Sequence, residues 1–189
     1  MQSNKRSSSR GASTESVATL ELAALEQLRD QNATPQQLCE ELARVFHVEV
    51  TEVALLRVEG TALRFVFPPE LREVGSIPLS SSAVAAHRAT TKKAEFFNSF
   101  TKVKHASVFE GVKLRPEKSE QAQPTPIQKL MSAPVLNGER TVVGVIQVSR
   151  KGSESCLAGP DFTRDDLQQL ELAAKIVAET SFMQKNLAR

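Results

Sequence analysis

Two cysteines, three histidines and a cluster of cations are the residues of this 189-residue chain whose types could do chemistry. Cys39 and Cys156 make no CxxC or CxxH spacing, so neither a zinc site nor a disulfide framework follows from them. His47, His87 and His105 are scattered, which leaves a haem-type axial role resting on one isolated imidazole. Between residues 99 and 126, Lys102, Lys104, His105, Lys113, Arg115 and Lys118 stand against Glu110 and Glu117. The plain account of such a loop is a solvated face. The sharper account is a lid whose cations meet an anionic small molecule. Phe96, Phe97, Phe100 and Phe109 could wall a pocket, although aromatics beside a strand are ordinarily core. No Ser/His/Asp or paired-carboxylate spacing can be recognised. The expectation is a chain that is not an enzyme, with no catalytic residue, no metal ligand and no nameable cofactor. Its candidate ligand-binding residues are Phe97, Asn98, Lys104, His105, Phe109 and Arg115.

The bulk composition narrows the classes. The chain is 40% hydrophobic and 24% charged with a net charge of +2, which suits one globular domain plus tails. So small a charge argues against a nucleic-acid or membrane-surface partner, and the absence of Trp and Tyr weakens single-strand binding further. No apolar run approaches bilayer length, and the basic start MQSNKRSSSRGAS has no apolar segment behind it. The default compartment is the cytoplasm.

The elements that must position these residues follow from local patterns. Residues 1–14 read as a disordered tail, and 15–32 as an amphipathic helix with Val17, Leu20, Ala24 and Leu28 at helical spacing. Thr34-Pro35-Gln36-Gln37 reads as a helix entrance, with Leu38, Cys39, Leu42, Val45 and Phe46 on one face. Cys39 is therefore expected in the core. Val48–Val58 and Leu63–Phe67 read as strands joined at Glu59-Gly60, with Pro68-Pro69 ending the hairpin. Ser80-Ser81-Ser82 offers caps for a short helix carrying Val84 and His87, and 94–98 reads as a short strand. Residues 99–126 read as a long loop with one helical turn.

The clearest signal is the hairpin around Asn137-Gly138, a dipeptide suited to a type I′ turn. Its second strand, Val142-Val-Gly-Val-Ile146, is apolar throughout, which predicts cover on both faces of the sheet. Thr163 and Asp166 then form a capping box for a helix expected to run to about Leu187, with Phe162 as a staple onto Leu167. That helix is apolar on more than one side.

The order of these elements over residues 33–183 resembles a GAF domain, leaving 184–189 as a C-terminal end. The most specific part is Leu130-Met-Ser-Ala-Pro-Val-Leu136 with Val142-Val-Gly-Val-Ile-Gln-Val148, where Gly144 and Val145 end the family's signature, followed by Phe162-Thr163. The resemblance implies an α/β (α+β) fold: a central antiparallel sheet, terminal helices on one face, and loops over a ligand pocket on the other. The Asn-Lys…Phe…Asp-Glu pattern of cyclic-nucleotide-binding members reads Ser149, Arg150, Phe162, Asp166 and Leu167 here, so two of its members are missing. Neither cysteine has the neighbours of a bilin attachment site, and two distant cysteines do not match the paired thiols of the family's methionine sulfoxide reductases.

The function expected is a non-enzymatic sensory or regulatory module that binds a small molecule or signals through its terminal helices. The alternatives are a Cys-dependent redox enzyme using Cys156, and a pure dimerisation or scaffold module with a collapsed pocket. The expected partners are a small molecule, anionic if the loop is a lid, a second copy of the chain, and a separate output protein. The homodimer is argued from the surplus apolar surface of the last helix and from the family's habit of pairing terminal helices.

Overall fold

A computed structural model describes residues 22–73, 75–102 and 125–184. The expected tail, the first part of the N-terminal helix, and Lys104, His105, Phe109 and Arg115 lie outside the described residues. Residues 22–30 form helix α1, followed by α2 (Pro35–Val45), α3 (Val84–Thr91), α4 (Arg164–Ala178) and a last turn α5 (Ser181–Gln184). The strands are β1 (Val53–Glu59), β2 (Ala62–Phe67), β3 (Ser76–Pro78), β4 (Glu95–Phe97), β5 (Ile127–Leu136) and β6 (Val142–Lys151). They form one antiparallel sheet in the order β3-β2-β1-β6-β5-β4. The β5–β6 hairpin is interior, as its two-faced apolar pattern predicts.

One face carries the main core. Leu38, Cys39 and Leu42 of α2, and Leu170, Ala174 and Val177 of α4, are buried against Leu55, Met131, Ala133, Ile146 and Val148. Leu22 and Leu25 of α1 join the same cluster. The second apolar side of α4 is thus covered within one chain: Ala173, Ile176 and Ala178 are buried, and Leu172, at 39% exposure, is left out. The other face is covered by α3, whose Ala85, Ala86 and Ala89 pack on Ala54, Leu56, Leu63, Phe65 and Val145.

Local chemistry explains most element boundaries. Thr34 and Gln37 exchange hydrogen bonds as a capping box at α2, and Thr163 and Asp166 do the same at α4. Four expectations need correction. The first strand begins at Val53, because Val50–Glu52 forms a 3-10 turn in which Glu52 carboxylate accepts the Glu49 N–H. The cap of α3 is Ala83 rather than a serine, and it makes no side-chain bond. Ser81 instead accepts the Ala83 N–H at 3.4 Å.

The hairpin turn is not a two-residue type I′ turn. The positive φ falls on Arg140 (59°), not on Asn137 or Gly138, and Asn137 Oδ1 accepts from the N–H groups of Glu139 and Thr141. The asparagine side chain folds a longer loop, and the register slips by one residue beside Leu136. Finally, the last helix does not run unbroken to Leu187. Thr180 Oγ1 donates to Val177 O at 2.7 Å, and the chain restarts as α5.

The signature glycine has a packing reason. A Cβ on Gly144 would collide with the Leu56 carbonyl oxygen and the Met183 methyl. Met183 is 1% exposed, so α5 docks onto the sheet through this notch. Arg57 Nη1 also donates to Phe182 O at 2.8 Å, and the same guanidinium pairs with Glu59.

Candidate functional site

The α3 side of the hairpin carries a row of polar residues at mid-strand, whereas the buried cations of the opposite side, Lys129 and Arg150, lie toward the strand ends. Residues directly opposite in antiparallel strands share a face. Glu95 pairs with Ser132, Ser132 with Gln147, and Gln147 with Ala54, giving one row across four strands. Glu95 meets Arg88 of α3 at 2.5 Å, which fixes the row beneath that helix. Ser132 is fully buried and Gln147 is 6% exposed, with the Gln147 amide nitrogen 3.4 Å from Ser132 Oγ. A polar row in the middle of an otherwise apolar hairpin is the least expected feature of the sheet.

Arg88 lies over this row. It is 5% exposed, and its Nη1 reaches Glu95 and, at 3.4 Å, the Lys93 carbonyl oxygen. Its Nη2 donates to His87 Nδ1 at 2.5 Å. Like Arg150 Nε on the opposite face, its Nε is buried with no hydrogen-bond partner among the described residues. A buried donor left unmade costs about 1–3 kcal/mol, so this nitrogen is a candidate contact for a polar ligand atom. The rest of the face is apolar: Leu56, Leu63, Phe65 and Val145 on one side, and Phe97, Phe100 and Leu130 on the other.

Of the residues singled out in the sequence, Phe97 lies at this site, half-buried on the α3 side, with its ring 6.2 Å edge-on from Phe100. Asn98 is committed elsewhere. Its Nδ2 donates to Phe162 O at 2.9 Å and its Oδ1 accepts Phe162 N–H at 2.8 Å, so it pins the approach to α4. Lys104, His105, Phe109 and Arg115 cannot be placed against the row, since they lie outside the described residues. Sequence reasoning missed Arg88, Glu95, Ser132 and Gln147. The available signal was two polar residues, one in each hairpin strand, interrupting apolar runs.

The remnant of the nucleotide-binding pattern is structural. Arg150 donates to Phe46 O and His47 O at 3.1 and 3.2 Å and lies 4.8 Å over the Phe162 ring. Burial holds this guanidinium below its ordinary value, opposed by Glu52 and Asp166. Asp166 caps α4. The cysteines are far from equivalent. Cys39 is fully buried, and burial pushes its thiol up, while Cys156 is exposed on a 3-10 turn with Sγ 3.6 Å from Glu154. Among the described residues no cluster of three metal-ligating side chains occurs, and no helix is long and apolar enough to cross a membrane.

Comparison with known proteins agrees with this architecture. The GAF domain of an Acinetobacter phosphoenolpyruvate-protein phosphotransferase superposes with a TM-score of 0.64 at 13% identity, covering 92% of this chain and 97% of that one. Free methionine-R-sulfoxide reductase from Neisseria meningitidis, in complex with its substrate, gives 0.59 at 15% identity and covers 100% of both chains. Residues 122 to 287 of a methyl-accepting chemotaxis protein give 0.57 at 16% identity, covering 92% and 99%. Such identities speak to fold alone. Among curated proteins, none matches the sequence. The GAF domain model matches residues 32–180, most of the chain and nearly all of the described fold; this protein belongs to the GAF domain family.

Proposed function

We propose that this GAF domain is a non-enzymatic sensory module that takes a small polar molecule on the α3 face and reports through its terminal helices. The observation that carries this reading is the row Glu95–Ser132–Gln147 beneath Arg88, in which Arg88, Ser132 and Gln147 are buried. A face that needed only cover would be apolar at mid-strand, as the opposite face is at Met131, Ala133, Ile146 and Val148. An amide, a hydroxyl and a guanidinium with a free Nε, set among apolar walls, suit a ligand with both acceptors and an apolar body. Binding would shift α3 and, through β6, the Gly144 notch that holds α5, as a change of population between two packings.

Thermal-shift screening of nucleotides, haem, free amino acids and small dicarboxylates tests this, because a ligand for the native state raises its melting temperature. One class is expected to raise it, and Gln147→Leu to abolish the rise. A flat screen would favour the scaffold alternative.

The redox reading draws support from the reductase among the structural neighbours. Against it, Cys39 is sealed in the core and Cys156 has no second thiol beside it. Turnover of free methionine sulfoxide that vanishes in Cys156→Ser would install the enzyme reading. A homodimer through the terminal helices is the proposed assembly. Leu172 is its natural contact, because it is the large apolar side chain of α4 left exposed, while Leu170, Ile176 and Val177 are buried. Light scattering of Leu172→Glu tests it; Leu170→Glu would bury a charge in the core instead.

A further inference from the structure

A second surface lies on the flank of the sheet, between the C-terminal end of α3 and the flank of α4. Among the described residues, β4 pairs with Leu130–Ser132, and residues 133–136 of β5 have no strand partner on that edge of the sheet. The flank of α4 runs beside that edge, and together they bound two adjoining clefts, of about 580 and 530 Å³, which share Glu171. Phe96 and Leu167 give one cleft apolar anchors, and Pro134, Leu136, Ala174 and Ala178 give them to the other.

The charges of this groove are unbalanced. Arg140, Arg164 and Lys175 are exposed and have no ion-pair partner among the described residues. Lys92 Nζ donates to the Arg140 carbonyl oxygen at 3.0 Å. Of the acids, Glu95 is held by Arg88 and Glu179 by Arg29, leaving Glu171. Four cations thus face one uncommitted carboxylate.

We propose that this groove docks an acidic amphipathic helix of a partner protein. The cations would meet its carboxylates, and Phe96, Leu167 and Leu136 would receive its apolar residues. A helix fits better than an added strand, because Pro134 has no N–H to offer and the Lys92 side chain crosses toward the hairpin loop. The 15 residues of α4 give a flank about 22 Å long, which accommodates roughly four turns of a partner helix. The groove meets the α3 site only at Glu95, which borders one cleft; its cations and apolar anchors include none of Arg88, Ser132 and Gln147, so the variants below test it apart from the ligand reading.

The test uses the full chain and a fluorescein-labelled helical peptide carrying Glu on one face and Leu at spacings of three and four. Fluorescence anisotropy is expected to show saturable binding that weakens as salt rises. Binding should fall roughly tenfold for the Arg140→Glu/Lys175→Glu double variant, and similarly when the peptide's Glu residues are replaced by Gln. Both positions are exposed, and an unchanged melting temperature of the variant controls for folding. No binding, or equal binding by the variant or by the Gln peptide, would overturn the proposal. So would light scattering that shows a dimer dissociated by the same double variant, which would give the groove to a second copy.

Discussion

The two faces of the central hairpin are built from the same ten-residue strands, yet they are finished differently. On one, α2 and α4 each carry a complete capping box and bury the main apolar cluster, with Lys129 and Arg150 at its margin. On the other, α3 begins at Ala83 with no side-chain cap, is only eight residues long, and covers a row that includes Ser132 and Gln147. The first face is fixed by its own local chemistry before it packs. The second depends on what lies over it. Elements that move on binding are drawn from the less stable parts of a domain, and α3 fits that description.

Adjacent residues of β6 give the most direct way to break this contrast, since they point to opposite faces. Ile146→Ala removes a fully buried side chain from the helix-covered face and is expected to cost about 3 kcal/mol in urea unfolding. Equal loss from Gln147→Leu would erase the distinction; that change is expected to move stability by less than about 1 kcal/mol. Between these lies Thr163→Ala, which removes the α4 cap and should cost about 1 kcal/mol by the same measurement. The smallest effect sharpens the comparison from the other side. Ala83→Ser supplies α3 with the cap it lacks, and should add about 0.5 kcal/mol and slow amide exchange in the first turn of that helix.

What could be read from the chain was what local chemistry decides. Both capping boxes, the core side of α2 and the interior place of the hairpin follow from side-chain spacing, because a cap or an apolar stripe is complete within a few residues. The α3-face row was not legible. Glu95, Ser132 and Gln147 become neighbours only once strand register brings positions 95, 132 and 147 into line. The turn misled for a related reason: Asn137 could fold the loop by its backbone or by its side chain, and the second won. The break before α5 also rested on a tertiary fact. Thr180 turns back onto the helix where Met183 must reach the space above Gly144. Asn98, expected from the sequence as a ligand contact, has an amide that serves the backbone of Phe162, a partner 64 residues away that no local pattern shows.

The two ends of the fold are tied to each other as well as to the sheet. Ser181 Oγ donates to Asn32 Oδ1 at 2.6 Å, and Arg29 reaches Glu179 at 2.7 Å, so entry and exit meet at one corner. A domain whose entry and exit coincide is topologically a closed ring with a single clasp. It can be spliced into a surface loop of another protein, or cut open elsewhere and rejoined by a linker from residue 184 to residue 22, which keeps Leu25 and Met183 in the core and the strand order intact. The natural places to reopen such a ring are the exposed turns at Gly60 and Gly138, where neither glycine has a neighbour that an added side chain would strike.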